Sequence, residues 1–342
     1  MTPPPPTIAP MRHLALVQPR VGIGDMIWHL PHLRALSGLA DEVTLVTRRR
    51  SHAAEFVGPS DGMDRILFVE RGQWDAGGRH EGAAGLLRLV ADLRRLRCDG
   101  AILMTRSRVL TLAARAAGIP RCHGYGIGWQ RRLLRGPFLP QAAWRAHPYA
   151  QATAWLGLAG IPLDQPEPQL QVGKADRAAA AAQVGVQGAP VLGIAASDDW
   201  KNWGAANFAA LAAALLHAGW PSVLLAGGPA EAGLADGIME RLGPLAPRVR
   251  LVLGLDLRTL AALLESQAFY AGNDTAALNV AAAVGLRAYG LFGATPVLHH
   301  SACILPLVPP GGPSPVDGMA RLPVGLVLDA IAGDRGGLAP PG

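Results

Sequence analysis

Short apolar runs alternate along the chain with longer segments in which apolar side chains recur every three or four residues. The short runs have the length of buried strands, and the longer segments have the periodicity of amphipathic helices. The predicted strands are residues 13–18, 43–47, 65–69 and 100–104 in the first half, and 191–195, 223–226, 249–253, 268–271 and 288–292 in the second. This alternation predicts an α/β fold whose parallel sheets are joined by crossover helices.

Prolines divide this pattern into two halves. Pro162, Pro166 and Pro168 recur close together, which is typical of a linker between domains. A chain of 342 residues is long enough to bury two cores, and two halves of this kind would leave a cleft between them. The expected division is a disordered Pro-rich tail (1–11), a first domain (12–165), a linker with a connecting helix (166–188), a second domain (189–318) and a final helix with a tail (319–342).

The stretch around Asp274 places polar groups between a buried strand and a helix of small residues. Gly272 begins the turn, any of Asn273, Asp274 and Thr275 can cap the helix, and Gly285 ends it. Open parallel sheets bind ligands at the carboxyl ends of their strands, and free N–H groups at a helix start attract anions. The turn is therefore a candidate anion site, with an ordinary capped helix as the alternative.

Two further loops follow predicted strands of the same half. One contains Ser197 and Lys201, whose hydroxyl and ammonium groups can donate hydrogen bonds to phosphate. The other contains Gly227 and Gly228, which let a ligand approach the backbone closely. The three loops together predict one ligand that carries phosphate. The alternative for Lys201 is a solvated side chain in an ordinary loop.

The first half offers a carboxylate at the end of its first strand. The loop Gly22-Ile-Gly-Asp25 has the spacing of a dinucleotide fingerprint, but Ile27 stands where the third glycine would be. Asp25 at a helix start would repel a pyrophosphate, so the loop offers a general base instead of a phosphate cradle. The alternative is that Asp25 only caps the helix.

His29 and His32 fall on the same helix face as Asp25. That spacing would suit a metal ion, but no fourth ligand is evident and Pro31 disturbs the helix, so we expect no metal. We expect the histidines to line the ligand site or to pack in the core.

Positive charge is in excess and is mostly arginine. The net charge of +6 and the arginine clusters within residues 48–50, 94–97 and 131–135 suit an anionic partner, which is a phosphorylated small molecule or an anionic membrane surface. A solvated, Arg-rich surface is the alternative. Only 5% of residues are aromatic and they are not interleaved with basic residues, which argues against nucleic acid as a partner.

Cysteine usage and the amino terminus indicate the compartment. Cys98, Cys122 and Cys303 are far apart and lack C-x-x-C spacing, which indicates neither a disulfide framework nor a zinc site. Residues 1–10 lack the pattern of a signal peptide, and no apolar run reaches the length of a membrane span. We expect a cytoplasmic protein, with peripheral contact at the inner face of the cytoplasmic membrane as a further expectation.

Four segments together resemble glycosyltransferase family 9, the heptosyltransferases that build the inner core of lipopolysaccharide. They are Gly24-Asp25 with Pro31 and Ala35-Leu36, Ser197 to Phe208 with Lys201 and Trp203, residues 273–283 continued by Leu291-Phe-Gly293, and the closing segment 319–332. The resemblance extends from residue 14 to residue 331. Two positions depart from the family pattern, since Asn279 stands for its histidine and Ala276 for its glycine.

This resemblance implies a GT-B fold, in which two Rossmann-like α/β/α domains face a cleft. It implies inverting transfer without a metal ion or other cofactor, of heptose from ADP-heptose to a lipopolysaccharide core or a related glycan or protein. The donor would bind the second domain and an anionic glycan or glycolipid acceptor the first. The implied residues are Asp25 and Lys201 for catalysis, Ser197, Lys201, Gly227, Gly228, Asp274, Thr275 and Asn279 for the donor, and Gly24, Asp25 and His29 for the acceptor.

Two other functions stay open. Arg48 and its neighbours at the end of the second strand could meet the 2′-phosphate of NADP in an oxidoreductase, although Asp25 and the missing glycine argue against it. Asn279, which cannot carry charge, would suit a relative that binds a nucleotide sugar without turning it over.

Overall fold

The computed structural model describes residues 8–72, 75, 77–196 and 198–340. The chain divides into two compact units, with the boundary between Pro168 and Gln169. Each unit is built on one sheet of parallel strands joined by helices. The predicted α/β class is confirmed.

The first unit has a five-stranded sheet in the order β3-β2-β1-β4-β5. Its strands are β1 (Met11–Val17), β2 (Ala40–Thr47), β3 (Arg65–Phe68), β4 (Gly100–Leu103) and β5 (Arg121–Gly124). Its helices are α1 (Ile23–Ser37), α2 (Ala53–Phe56), α3 (Gly82–Arg95), α4 (Arg108–Ala116) and α5 (Pro148–Leu158). The strand order reverses between β1 and β4, which is where sheets of this kind bind ligands.

The second unit has a six-stranded sheet in the order β11-β10-β9-β6-β7-β8. Its strands are β6 (Pro190–Gly193), β7 (Val223–Gly227), β8 (Val249–Leu253), β9 (Phe269–Asn273), β10 (Ala288–Leu291) and β11 (Ile304–Leu307). Its helices are α6 (Lys174–Gln183), α7 (Ala205–His217), α8 (Ala232–Leu242), α9 (Leu257–Glu265), α10 (Ala276–Ala283) and α11 (Val324–Arg335). This is the Rossmann order, and its reversal point lies between β6 and β9.

Two strands were not predicted, and both lie at the edge of a sheet. Strand β5 contains Arg121 and His123, and among the described strands it pairs with β4, while a single isolated bridge joins His123 to Arg135. Strand β11 contains Pro306, which removes a backbone N–H from the ladder. An edge strand needs a partner on one side only, so it tolerates polar residues and proline that a central strand would not.

Several predicted boundaries shift for local reasons. Residues 48–56 form a 3₁₀ turn followed by the short α2, because His52 between them adopts a left-handed φ of 53°. Helix α11 begins at Val324 instead of residue 319, since Pro323 restricts the residue before it to non-helical conformations. Ile8 is buried and β1 begins at Met11, so ordered chain precedes the expected boundary at residue 12. Within the described ranges, no helix has the length and apolar character that crossing a bilayer requires.

Candidate functional site

In the first unit, the loop after β1 holds Asp25 against the backbone. Helix α1 begins at Ile23, so the predicted helix start at Asp25 is wrong by one half-turn. The N–H of Gly22 donates a hydrogen bond of 3.1 Å to Oδ2 of Asp25, which closes the first turn of α1. The capping role considered for Asp25 is therefore confirmed. The same bond fixes the carboxylate at the helix start, where a general base would need to be held.

Gly22 gives that carboxylate its space. A Cβ atom on Gly22 would lie 2.8 Å from Oδ2 of Asp25, well inside contact distance. The φ of Gly22 is −86°, so close approach and not backbone conformation is the reason for glycine. Gly24, expected on the acceptor side, lies partly exposed in the first turn of α1.

His29 supports the same turn from beneath. Its side chain is 1% exposed, and its Nδ1 lies 2.7 Å from the carbonyl oxygen of Asp25. The amide of Gln18 approaches both groups, at 3.1 Å from Nδ1 and 3.4 Å from the carbonyl. Burial lowers the pKa of His29 to about 4, so the ring is neutral at pH 7. His29 therefore positions Asp25, and its burial does not favour the direct acceptor contact that was expected.

His32 is likewise a core residue. Its Nε2 lies 2.8 Å from Oγ1 of Thr153 on α5, and burial lowers its pKa to about 3. The rings of His29 and His32 are 5.6 Å apart. Across the described ranges, no three side chains capable of binding a metal ion come together. The two histidines pack in the core, as one of the two expectations stated.

A cavity of about 390 Å³ opens at the carboxyl edge of the first sheet, where the strand order reverses. The loop after β1 contributes Arg20, the end of β2 contributes Arg48, and the loop after β4 contributes Arg106. Arg145 also lines the cavity, and none of the lining residues that the structure describes is Asp or Glu. We call these four arginines and their cavity the arginine pocket. Its charge suits an anionic ligand.

Polar atoms inside the arginine pocket lack protein partners. Tyr125 is 2% exposed, and its hydroxyl makes no hydrogen bond within the described residues. Burial raises the pKa of Tyr125 above its usual range, so the group is a hydrogen-bond donor at neutral pH. Arg48 donates from Nη1 to Asp75 at 2.8 Å, while its buried Nε makes no hydrogen bond within those residues. Buried polar groups normally have partners, so these two donors favour a ligand there.

The sequence cluster at 48–50 supplies Arg48 to the pocket, whereas arginines of the clusters at 94–97 and 131–135 have structural contacts instead. Arg94 donates to the carbonyl of Ala116, and Arg95 pairs with Asp92. Arg131 lies 5.5 Å from the ring of Phe138 and donates to the carbonyl of Gly126. Sequence clustering therefore missed Arg20, Arg106 and Arg145. The signal that would have found Arg20 and Arg106 is their position directly after a strand.

In the second unit, Asn273 links the two strands at the reversal point. It ends β9 and is 0% exposed. Its Nδ2 donates to the carbonyls of Ile194 and Ala195 at 3.2 and 3.1 Å, and its Oδ1 accepts from the N–H of Trp203 at 3.3 Å. The loop after β6 is thus tied at both its ends to β9.

Lys201 lies in that loop. It ends a 3₁₀ turn, Asp199–Lys201, is partly exposed, and places its Nζ 5.2 Å from the ring centre of Trp200. Ser197, predicted beside it, lies outside the described residues. Trp203, which belongs to the segment that resembles the family, is a core residue. It is 2% exposed and donates from Nε1 to the carbonyl of Leu322 at 2.8 Å.

Helix α10 begins without a side-chain cap from its N-cap residue, Thr275. The carboxylate of Asp274 is held on its other side, where Oδ2 accepts a hydrogen bond of 2.7 Å from the hydroxyl of Thr295. The hydroxyls of Thr275 and Tyr270 are both buried. They interact with each other, and neither makes a further hydrogen bond within the described residues. Uncapped N–H groups beside two such hydroxyls are the features of an anion site.

Two glycines admit the Tyr270 ring at this point. A Cβ atom on Gly193 would lie 1.7 Å from the Tyr270 hydroxyl, and one on Gly272 would lie 2.5 Å from the carbonyl of Gly193. Burial raises the pKa of Tyr270 above its usual range, which keeps the hydroxyl protonated. The ends of β6 and β9 are therefore shaped around a neutral tyrosine hydroxyl.

Gly227 and Gly228 end β7 on the other side of β6. A Cβ on Gly227 would lie 3.1 Å from Ile194, so this glycine allows close packing. The N–H of Gly228 donates to Glu231 at 2.8 Å, which caps the following turn. These contacts account for both glycines within the fold, and their contact with a ligand stays a prediction.

Asn279 joins α10 to a loop that the sequence did not single out. Its Nδ2 donates to the carbonyl of Thr275 at 2.9 Å, and its Oδ1 lies 2.7 Å from Nε2 of His300. The same loop, after β10, carries the Thr295 that bonds Asp274. His300 was missed because it lies 21 positions along the chain from Asn279 and in no recognised motif.

The model of glycosyltransferase family 9 (heptosyltransferase) matches residues 86–303. The chain belongs to glycosyltransferase family 9. It is therefore a glycosyltransferase, which excludes the oxidoreductase alternative as its assignment. No curated protein matches this family 9 chain.

Solved structures show the fold of this family 9 chain. It is similar to E. coli ADP-heptose lps heptosyltransferase II, with 20% identity, a TM-score of 0.72, and coverage of 94% of this chain and 98% of that one. It is also similar to the glycosyl transferase family 9 protein from Veillonella parvula DSM 2008, with 16% identity, a TM-score of 0.71, and coverage of 88% of this chain and 87% of that one. A third similar structure is E. coli heptosyltransferase WaaC with ADP-2-deoxy-2-fluoro heptose, with 16% identity, a TM-score of 0.66, and coverage of 94% of this chain and 99% of that one. The predicted GT-B class of two Rossmann-like domains is confirmed.

Proposed function

We propose that this glycosyltransferase moves heptose from ADP-heptose to an anionic glycan or glycolipid, with inversion and without a metal ion. The observation that carries the proposal is the uncapped start of α10, with the buried hydroxyls of Thr275 and Tyr270 beside it. A diphosphate fits such a site. The heptose and the adenine are proposed because two E. coli enzymes share the fold. They are ADP-heptose lps heptosyltransferase II and heptosyltransferase WaaC, the latter solved with ADP-2-deoxy-2-fluoro heptose.

On the donor side, Lys201 and the N–H groups of α10 would stabilise the diphosphate as it leaves. The bond between the anomeric carbon and the diphosphate oxygen breaks, and negative charge grows on that oxygen. Fixed donors aimed at developing charge are among the strongest catalytic devices in enzymes. Ser197, Gly227, Gly228, Asp274 and Asn279 complete the proposed donor contacts.

On the acceptor side, Asp25 would take the proton of the attacking hydroxyl as the new C–O bond forms at the anomeric carbon. Its carboxylate is held at the start of α1 by Gly22, and the turn is supported by His29 and Gln18. Because the base is already held in position, the reaction does not have to supply the free energy of orienting it.

The arginine pocket supports an acceptor that carries negative charge. It lies in the same unit as Asp25 and shares the loop after β1 with it. Arg20, Arg48, Arg106 and Arg145 would bind carboxylate or phosphate groups of the acceptor. A glycolipid acceptor would place the enzyme at the inner face of the cytoplasmic membrane, which is part of this proposal.

A screen of nucleotide sugars tests the proposal. Thermal shift is measured with ADP-, GDP-, UDP- and dTDP-sugars and with the free diphosphates, and transfer is then followed with and without EDTA. We expect ADP-heptose to give the largest shift and transfer to persist in EDTA. Binding without turnover on any acceptor would favour the non-catalytic relative, and activity restored only by a divalent ion would contradict metal independence.

A further inference from the structure

His300 places both of its ring nitrogens against oxygen acceptors. Its Nδ1 lies 3.0 Å from the carbonyl oxygen of Leu298, and its Nε2 lies 2.7 Å from Oδ1 of Asn279. A neutral imidazole carries one N–H and can satisfy only one of them. The protonated ring donates to both.

The orientation of Asn279 is fixed independently of His300. Its Nδ2 donates to the carbonyl of Thr275 at 2.9 Å. A flipped amide would set two oxygen atoms against each other at that position, so Oδ1 must face His300. Asn279 and His300 are 3% and 6% exposed, which keeps water from taking over either contact.

The charged ring would lie at the wrong end of a helix in the free protein. Asn279 stands one turn into α10, whose amino-terminal end carries partial positive charge. Burial also disfavours the charged ring. Charged and titratable groups on this loop and beside it include Asp274, held by Thr295, exposed His299, Cys303, and Arg287, which donates to the carbonyl of Ala302 and pairs with Asp334. An anion bound at the start of α10 would instead favour the charged, protonated ring of His300.

We propose that His300 takes up a proton from solvent when a diphosphate binds at the start of α10, and that its charge, acting through Asn279, stabilises the bound diphosphate. His300 is a positioning residue, since both of its nitrogens are engaged by protein atoms. This inference rests on the proposed function, because the diphosphate is that of the donor.

Proton uptake on binding is the test. ADP is titrated into the whole protein near neutral pH by calorimetry in two buffers of different ionisation enthalpy, which gives the protons taken up per ADP. Wild type should take up a proton fraction that is absent in His300→Gln. The variant should bind ADP about fivefold more weakly and adenosine equally well. Gln can still donate to Asn279, so the hydrogen bond is retained while the charge is lost.

His299→Gln is the matched control, since His299 is the exposed neighbour in the same loop. It should keep both the proton uptake and the ADP affinity. If His300→Gln does not fold, as judged by its melting curve, His300→Asn replaces it, and absence of uptake in wild type alone overturns the inference. Equal uptake in wild type and variant, or equal weakening of ADP and adenosine, overturns it too. If wild type binds no nucleoside diphosphate and transfers no sugar, the proposed function fails and this inference with it.

Discussion

At the residue scale, one hydrogen bond between Gly22 and Asp25 fixes the carboxylate of the proposed base. The bond leaves the carboxylate at the start of α1, and the missing Cβ of Gly22 is what lets it close. A side chain at position 22 would meet Oδ2 at 2.8 Å, and the end of a side chain moves more easily than the backbone. Gly22 therefore controls where the proposed base points.

Gly22→Ala should displace the Asp25 carboxylate and leave the fold intact. We expect the turnover number to fall roughly tenfold or more, because a base moved from its reacting position loses most of its effect, while donor affinity stays unchanged. Steady-state kinetics with the ADP Kd measures both. The matched control is Gly58→Ala, since Gly58 donates to Asp61 in the same arrangement but a Cβ there meets nothing within 4 Å. Equal losses in both variants would contradict the role of Gly22.

Residues that directly follow a strand could be found from the sequence, and residues from distant loops could not. Asp25, Asp274 and Thr275 were predicted at strand ends, because the carboxyl edge of a parallel sheet is known once the strands are assigned. His300 and Arg145 reach their positions through long loops, whose paths no local pattern encodes. They became visible only from their contacts.

At the scale of elements, hydrogen bonds join two loops of the second unit, the loop after β6 and the turn between β9 and α10. Asn273 at the end of β9 holds the backbone of the loop after β6, which contains Lys201. The start of α10 follows Asn273 directly. Lys201 and the uncapped helix therefore belong to one connected surface, and a ligand bound at one should shield the other.

ADP should protect Lys201 from chemical modification. The chain contains two lysines, and Lys174 on α6 is exposed and serves as an internal control. Amine labelling followed by mass spectrometry should show slower labelling of Lys201 with ADP present and no change at Lys174. Lys201→Ala should also weaken ADP binding about tenfold to a hundredfold and adenosine binding little, as expected for a charge-assisted contact. Labelling of both lysines at unchanged rates would place the donor elsewhere.

Central elements could be predicted from the sequence, and edge elements could not. Strands β1 and β6 are buried on both faces, so they read as continuous apolar runs. Strands β5 and β11 carry polar residues or proline because one side is unpaired, and this hides the apolar signal. The short α2 follows a turn in which His52 adopts a left-handed φ, and no sequence pattern signals that conformation.

At the scale of the whole molecule, each unit carries its chemistry at its own reversal point. The first has a carboxylate and the arginine pocket, and the second has an uncapped helix and Lys201. Under the proposed function, one unit serves the acceptor and the other the donor. The first unit also carries two buried neutral histidines, which link its stability to pH.

Stability should fall as the pH drops below about 6.5. In the folded chain the pKa values of His29 and His32 are lowered to about 4 and about 3, against 6.5 for an ordinary histidine. Between these values the unfolded chain binds protons that the folded chain does not, so acid favours unfolding. Each histidine should cost about 2 kcal/mol of unfolding free energy at pH 5.

Urea unfolding at pH 7 and pH 5 measures this loss. His32→Gln can still donate to Thr153 and does not titrate, so its loss between the two pH values should be smaller than that of wild type. An equal loss in both proteins would mean that His32 is not buried as described.

The central claim is that a base on the first unit and a donor site on the second together transfer a sugar. Asp25→Asn tests it most directly, because the Asn oxygen can still accept from Gly22 and keep α1 capped, while no proton can be taken. Transfer from ADP-heptose and the Kd for ADP are measured on the same preparations. The account predicts that turnover falls at least about a hundredfold and that ADP affinity is unchanged. Turnover within a fewfold of wild type would contradict it.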